Sequence, residues 1–284
     1  IANFNRKFKG ILIVNLIGGD SVTLPIKYLK AKKIIVSVFS EDIIAALVKI
    51  RIYYLKLKAG NVRFIPKLVI DEGAKHKIKA IVQSRKGFLL EEQSLLIAKS
   101  YGFPLVKTHF VSSKNTALSK AKAIGFPIVL KISAPNIIHR HLEQGVFLDI
   151  KSMHELATAY DILSLRKGQI ILQKSIQSDL EIIVGAKRDP DFSHLLVFGS
   201  GGIHVEYLKD IQFAVIPFFS YQTMESLILG TKVSINLKHH SKFWPIFVSL
   251  INLLSDFPEI EEIDLNPIIL SKDKISCVDV KIKI

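Results

Sequence analysis

Residues 262–284 read EIDLNPIILSKDKISCVDVKIKI, and the alternation within this C-terminal segment indicates how it folds. Two runs rich in β-branched residues flank the polar segment SKDK, a pattern that predicts a β-hairpin. A turn centred between Lys272 and Asp273 places Leu265 opposite Val280 on an apolar face. The segment is therefore expected to cover a hydrophobic core with one face.

The other face of the predicted hairpin is polar. The same register places Asn266 opposite Asp279, with Cβ atoms roughly 5 Å apart. An amide oxygen and a carboxylate at this separation suit a hard cation such as Mg²⁺, which would complete its shell with phosphate oxygens and water. A hydrogen-bonded Asn–Asp pair on a solvent-facing hairpin is the alternative, and the pattern leaves both open. Pro267 lacks an N–H donor, which predicts an irregular strand.

Three upstream segments carry residue types that bind phosphate. The run 126–130 predicts a buried strand, with Lys131 at its polar end, where an ammonium group can neutralise a phosphate. Pro135 then begins a loop that carries His139. Further on, the turn containing Gly201 and Gly202 follows a strand and allows backbone N–H groups to approach an anion. Together with the hairpin, these segments predict a nucleotide-phosphate site.

At these motifs the chain resembles the NDP-forming acyl-CoA synthetases, a family that includes ADP-forming acetyl-CoA synthetase. The resemblance is to the ATP-grasp, or β-type, module and runs from about Gly87 to Ile284. The segments that carry it are GFPIVLKISAPNIIH, LEIIVGAKRDPDF, VFGSGGIHVEYLKD, and DFPEIEEIDLNPIIL followed by VDV. The implied fold class is α/β, with an α+β ATP-grasp fold.

The resemblance implies an activity and a set of site residues. The family converts acyl-CoA, ADP and phosphate reversibly into a carboxylic acid, CoA and ATP through phosphohistidine intermediates. The implied cofactors are ATP or ADP and Mg²⁺, and the implied partner is an α-type CoA-ligase subunit that supplies the CoA site. By motif position, His139 is the phosphorylated residue, Asn266 and Asp279 hold the metal, and the nucleotide contacts are Lys131, Glu181, Gly201, Gly202 and Glu206.

Four positions depart from the family pattern. Leu142 replaces an acidic residue and Gln144 replaces a glycine in the loop after His139. Lys174 stands where the family has a glutamate beside the adenine and ribose, and Ala214 stands where it has an arginine. Two hypotheses are left open. The matching motifs favour an acid-thiol ligase, and the four departures favour a degraded ATP-binding remnant or regulatory module, including one derived from a fused protein-lysine acetyltransferase.

The N-terminal part has a different pattern. Residues 11–16 and 34–39 predict strands, and each is followed by a helical segment, giving the β-α-β-α order typical of parallel sheets. Ser21 is expected to cap the first of these helices, which should extend through Leu29. This part weakly resembles the last flavodoxin-like subdomain of the family's CoA-ligase half. Gly18-Gly19 is interpreted as a tight turn in preference to a phosphate site. The predicted domains are a partial CoA-ligase, flavodoxin-like segment over 1–60, a linker over 61–86 and an ATP-grasp domain over 87–284.

Composition limits the remaining function classes. Residues 1–85 hold 17 Lys and Arg against 5 Asp and Glu, so they carry +12 of the net charge of +14. These lysines are scattered among apolar strands rather than clustered with aromatic residues, which does not favour a nucleic-acid binder. A single cysteine, Cys277, suits a reducing compartment. With neither a signal peptide nor an apolar run long enough to span a bilayer, a cytoplasmic protein without a membrane partner is expected. The most apolar segment, residues 243–257, predicts a buried helix, and residues 89–101 predict an amphipathic one.

Overall fold

The computed structural model describes most of the chain, namely residues 1, 4, 10–58, 65–84, 86–133, 145–202, 210–216, 219–272 and 274–284. The chain forms two compact units, residues 1–62 and residues 63–284. Of the helices in the described residues, none is both long and apolar enough to cross a lipid bilayer.

The first unit has the predicted β-α-β-α order. Its elements are β1 (Ile13–Asn15), α1 (Thr23–Ala31), β2 (Ile35–Ser37) and α2 (Ser40–Lys58). Strands β1 and β2 pair in parallel, as expected for strands joined through a helix. A short 3₁₀ helix precedes α1, and Ser21 lies within it. Ser21 donates to the carbonyl of Gly18 and does not cap α1, so the predicted helix start at Ser21 was wrong.

The second unit combines six α-helices with ten strands in the described residues. Its helices are α3 (Glu72–Ser84), α4 (Glu91–Ser100), α5 (Lys114–Ile124), α6 (Met153–Ser164), α7 (Tyr221–Leu229) and α8 (Trp244–Asp256). Its strands are β3 (Thr108–Val111), β4 (Ile128–Ser133), β5 (Val146–Ile150), β6 (Gln169–Lys174), β7 (Leu180–Asp189), β8 (Ser193–Ser200), β9 (Ile211–Val215), β10 (Glu262–Ser271), β11 (Lys274–Cys277) and β12 (Val280–Lys283). This mixed architecture agrees with the predicted α/β class.

The strands of the second unit form two antiparallel sheets. The small sheet has the order β3-β6-β4-β5, and α5 and α6 pack on one of its faces around Leu130 and Leu172. Helix α5 begins after Ser113, whose hydroxyl accepts the N–H of Thr116, because an N-cap of this kind satisfies a free helical donor. The large sheet has the order β11-β10-β7-β8-β9, and β12 also pairs with β10.

The core of the second unit lies against the large sheet. Helix α8 is apolar over most of its surface, and eight of its residues are buried, from Ile246 to Leu254. A helix of this composition is stable only inside a core, as expected from residues 243–257. The predicted linker over 61–86 contains α3, whose Ile78 and Val82 belong to this core. The division of the chain into the predicted domains remains a prediction.

The C-terminal hairpin has the predicted register. Leu265 pairs with Val280 across β10 and β12, and Ile268 pairs with Cys277 across β10 and β11. Both ladders follow the same antiparallel register, so the residues that lie between them are aligned in that register as well. The pairing of β10 with β7 shifts between Leu265 and Ile268, which confirms the irregular strand expected at Pro267.

Candidate functional site

Lys131 occupies a buried position where the two sheets meet. It lies within β4, not after the end of the strand as the sequence predicted, and its side chain is 6% exposed. Its Nζ lies 2.6 Å from Oε1 of Glu91 and 3.4 Å from Oδ1 of Asp279, and it donates to the carbonyl of Val278 at 3.0 Å. The ammonium group therefore joins the small sheet to the C-terminal hairpin and to the first turn of α4.

Asn266 and Asp279 lie opposite each other in the interval between the two hairpin ladders. The Oδ1 atom of Asn266 accepts the backbone N–H of Gly202 at 2.9 Å. An amide oxygen has two lone pairs, so this atom retains the capacity to bind a cation. The Asp279 side chain is 16% exposed beside Lys131. The hairpin thus presents two hard oxygen donors of the kind that Mg²⁺ prefers.

The glycine turn packs tightly against β7. The N–H of Gly201 donates to the carbonyl of Glu181 at 2.7 Å, and a Cβ atom on Gly201 would lie 2.5 Å from the backbone carbon of Ile182. Gly202 has φ +79°, and a Cβ atom there would collide with the carboxylate of Glu181. Glycine is required at Gly201 because a side chain would meet the backbone of β7, and it is favoured at Gly202 because of the positive φ.

The structure brings together six of the eight residues predicted for the site. Lys131 contacts Asp279, and the common register of the two ladders aligns Asp279 with Asn266. Asn266 in turn contacts the glycine turn, which contacts Glu181; these six are Lys131, Glu181, Gly201, Gly202, Asn266 and Asp279. The remaining two, His139 and Glu206, lie outside the described residues. Leu142 and Gln144 lie outside them as well, so the roles of all these positions remain predictions.

Glu91 is a residue of this site that the sequence reasoning missed. It lies in the first turn of α4, and its side chain is only 1% exposed beside Lys131. The amphipathic pattern of this helix suggested ordinary packing, and an acidic residue in a first turn commonly complements the helix dipole. No local signal indicates that Glu91 meets a lysine 40 residues further along the chain.

Asp210 was also missed, although it follows the glycine motif in sequence. Its carboxylate accepts the Ser200 hydroxyl at 2.7 Å and the backbone N–H groups of Lys232 and Val233 at 2.6 and 2.9 Å. Burial by itself would raise the pKa of Asp210, but these three hydrogen bonds and the charge of Lys232 lower the pKa below its ordinary value. Asp210 therefore anchors the strand end from which the glycine turn begins.

Asp264 lies on β10, two residues before Asn266. Burial raises its pKa to about 6, against the lowering effect of Lys281 and with a further rise from Asp279. Its Oδ1 atom has no hydrogen-bond partner among the described residues. Within the same part of the chain, no group of three or more His, Cys, Asp or Glu side chains could hold a metal ion.

Two of the positions that depart from the family pattern are described. Lys174 donates from Nζ to the carbonyls of Gly125 and Phe126 at 2.9 and 2.7 Å. Its pairing with Ile128 places its side chain on the face of the small sheet opposite to that of Lys131. Ala214 lies on β9 and packs against the core of the large sheet.

Comparison with known proteins gives a consistent result. Residues 80–284 match the ATP-grasp domain family. The chain is 30% identical over 224 residues to the β subunit of the ADP-forming acetate–CoA ligase I of Pyrococcus furiosus, an alignment that covers 72% of this chain and 97% of that subunit. It is 28% identical over 308 residues to the ADP-forming 4-hydroxybutyrate–CoA ligase of Nitrosopumilus maritimus, covering 99% of this chain and 43% of that ligase.

A solved structure supports the same relationship. The dinucleotide-forming acetyl-coenzyme A synthetase 1 of Ca. Korarchaeum cryptofilum was determined with coenzyme A and Mg-AMPPCP, with its phosphohistidine segment pointing towards the nucleotide-binding site. It superposes with a TM-score of 0.63 at 30% identity, covering 74% of this chain and 99% of that chain. The chain belongs to the ATP-grasp family, and its relatives include β subunits of ADP-forming acetate–CoA ligases.

Proposed function

We propose that this chain binds ATP or ADP with Mg²⁺ as the nucleotide-binding component of an ADP-forming acyl-CoA ligase. The observation that carries the proposal is the convergence of Lys131, Asp279 and Asn266 beside the glycine turn. One ammonium group, together with a cation held by two hard oxygen donors, would provide complementary charge for a polyphosphate. The related synthetase bound to Mg-AMPPCP supports the same ligand class.

The donor set fits a magnesium ion. Asn266 and Asp279 supply an amide oxygen and a carboxylate, the two kinds of hard oxygen ligand that Mg²⁺ accepts. A bound Mg²⁺ would neutralise phosphate charge and complete its shell with phosphate oxygens and water. Lys131 would hold the phosphates as a fixed positive charge. Its buried position excludes water and so strengthens that interaction.

The proposed reaction is phosphoryl transfer to His139. A nitrogen of the neutral imidazole attacks the γ-phosphorus of ATP, a new P–N bond forms, and the bond from phosphorus to the β-γ bridging oxygen breaks, releasing ADP. In the reverse direction, ADP recovers the phosphoryl group. The support for His139 is its position in the family motif. A separate α-type partner would supply the CoA site.

A nucleotide-binding module without catalysis is the second candidate. Lys174 favours it, because this side chain bonds to Gly125 and Phe126 on the sheet face opposite to that of Lys131. The family's glutamate at this position is therefore replaced by a residue with a different set of contacts. Ala214, packed against the core, likewise lacks the charge of the family's arginine.

Labelling with γ-³²P-ATP and Mg²⁺ separates the two candidates. The ligase component should acquire acid-labile, base-stable label that His139→Ala abolishes, and His154→Ala should label like the parent chain. Calorimetry with Mg-AMPPCP is run in parallel on all three proteins. Nucleotide binding without label would leave the binding module, whereas the absence of both binding and label would overturn the proposal.

A further inference from the structure

A basic cavity lies between the small sheet and α5, separate from the site that contains Lys131. Its volume is ≈ 380 Å³, and it is lined by Lys107, His109, Lys120, Ala123, Ile124 and Lys174. Among the described residues that line it, four have basic side chains and none is acidic. Clustered ammonium groups repel one another, so a cavity of this composition favours an anion.

The strand register places this cavity on the opposite face of the sheet from Lys131. Lys131 pairs with Ile171, whereas His109 pairs with Leu172, the next residue on β6. Successive residues of a strand point to opposite faces, so His109 and Lys131 cannot share a face. Leu172 belongs to the core beneath α5 and α6, which identifies the face of His109 as the helix-covered one.

Lys174 has a fixed position at the cavity. Its Nζ donates to the carbonyl oxygens of Gly125 and Phe126. An ammonium group has three N–H donors, so one remains after these two bonds. The charge is therefore held in place by the backbone at the start of β4, which reduces the entropy lost when a ligand binds.

His109 lacks a partner that its chemistry requires. Its Nε2 atom is buried and has no hydrogen-bond partner among the described residues. Burial lowers the pKa of His109, and the charges of Lys107 and Lys120 lower it further. A buried polar atom without a partner costs free energy, which a ligand oxygen at this position would recover.

We propose that this cavity binds a phosphate dianion, either inorganic phosphate or the phosphate group of a monoester. The oxygens of the anion would accept hydrogen bonds from the ammonium groups of Lys107, Lys120 and Lys174 and from the Nε2–H of His109. Such charge-assisted hydrogen bonds are the strong ones in proteins. The site is independent of the proposed nucleotide site, since it lies on the other face of the sheet.

Histidine-selective NMR of the whole chain tests the proposal without reference to the nucleotide site. The ring resonances of His109 are assigned with His109→Gln and followed by pH titration, without ligand and with inorganic phosphate or ribose 5-phosphate. Either anion should raise the pKa of His109 because it stabilises the imidazolium. Tighter binding of ribose 5-phosphate would identify a monoester site, and tighter binding of inorganic phosphate would identify a site for the free anion.

Matched double variants make the result specific to the cavity. Lys107→Gln/Lys120→Gln removes two exposed cavity charges and should weaken phosphate binding at least about tenfold. Lys99→Gln/Lys122→Gln makes the same change of net charge at exposed positions outside the cavity lining and should leave binding unchanged. Unaltered His109 resonances with both anions, or equal weakening in the two double variants, would overturn the proposal.

Discussion

The ammonium group of Lys131 lies 2.6 Å from the carboxylate of Glu91, and the two side chains are 6% and 1% exposed. Removing both charges from water is costly, and their attraction offsets that cost only while both partners are present. Asp279, at 3.4 Å, adds a second carboxylate on the side of the hairpin. Lys131 is thus held between one fixed acid and one that we propose as a metal ligand.

Glu91→Gln should destabilise the protein by about 3–5 kcal/mol, because it leaves the buried charge of Lys131 without its nearest carboxylate. Urea unfolding measures this loss. The double variant Glu91→Gln/Lys131→Met should recover part of it, since the buried ammonium group is then removed, although Asp279 loses its ion pair with Lys131. Asp161→Asn is the matched control: its salt bridge to Lys114 has the same 2.6 Å length but is exposed, so less than about 1 kcal/mol should be lost. Equal losses at the two sites would contradict this account of the buried pair.

Asp279→Asn should weaken binding of Mg-AMPPCP roughly tenfold or more, because one of the two proposed metal ligands loses its charge. Asn266→Ala should act in the same direction. Calorimetry at a series of Mg²⁺ concentrations measures both effects, with the exposed Asp191→Asn as the control. If the variants bind as tightly as the parent chain at every Mg²⁺ concentration, the hairpin does not hold the metal.

Gly202→Ala should be more destabilising than Gly102→Ala. Both glycines have positive φ, +79° and +77°, so both substitutions carry a backbone cost of about 1 kcal/mol. Only at Gly202 would the new Cβ atom also collide, with the Glu181 carboxylate, whereas nothing lies within 4 Å at Gly102. Thermal unfolding compares the two, and Glu181→Ala in the Gly202→Ala background should restore part of the loss. Equal destabilisation by the two glycine variants would show that the collision is relieved at no cost.

Asp210→Asn should reduce the free energy of unfolding at pH 7 by about 1–3 kcal/mol. The pKa of Asp210 is lower in the folded protein than its ordinary value of 3.8, so its carboxylate stabilises the fold above pH 3.8. That stabilisation is lost as the pH falls through the folded pKa. The difference between the parent chain and the variant should therefore narrow below about pH 4, as measured by urea unfolding across pH. A difference that stays constant with pH would exclude this linkage.

The hairpin register followed from sequence because it depends on local alternation. One residue of slippage would expose Leu265 and Val280 and bury polar groups, so the pattern admits a single pairing. Pro267 similarly predicted irregular pairing from a missing donor. Helix α8 was predictable for a comparable reason, since an apolar segment of that length requires a core.

The start of α1 and the partners of Lys174 were not predictable from local pattern. Ser21 is an ordinary N-cap residue type, yet its hydroxyl bonds to Gly18 inside a 3₁₀ turn. Propensity gives only a preference among caps, and the packing of neighbouring elements selects one. Lys174 bonds to carbonyls about 50 residues earlier in the chain, a contact that exists only once β4 and β6 have paired.

The sequence by itself determined the register of the C-terminal hairpin, because alternation acts between near neighbours. The steric reason for glycine in the turn came from tertiary structure, since it depends on contact with β7. Tertiary structure alone brought Glu91 to Lys131 and Asp210 to Ser200, Lys232 and Val233. It also assembled the basic cavity on the reverse face of the small sheet. The physical reason is burial, because removing a charged side chain from water costs free energy unless the folded chain provides a partner for it.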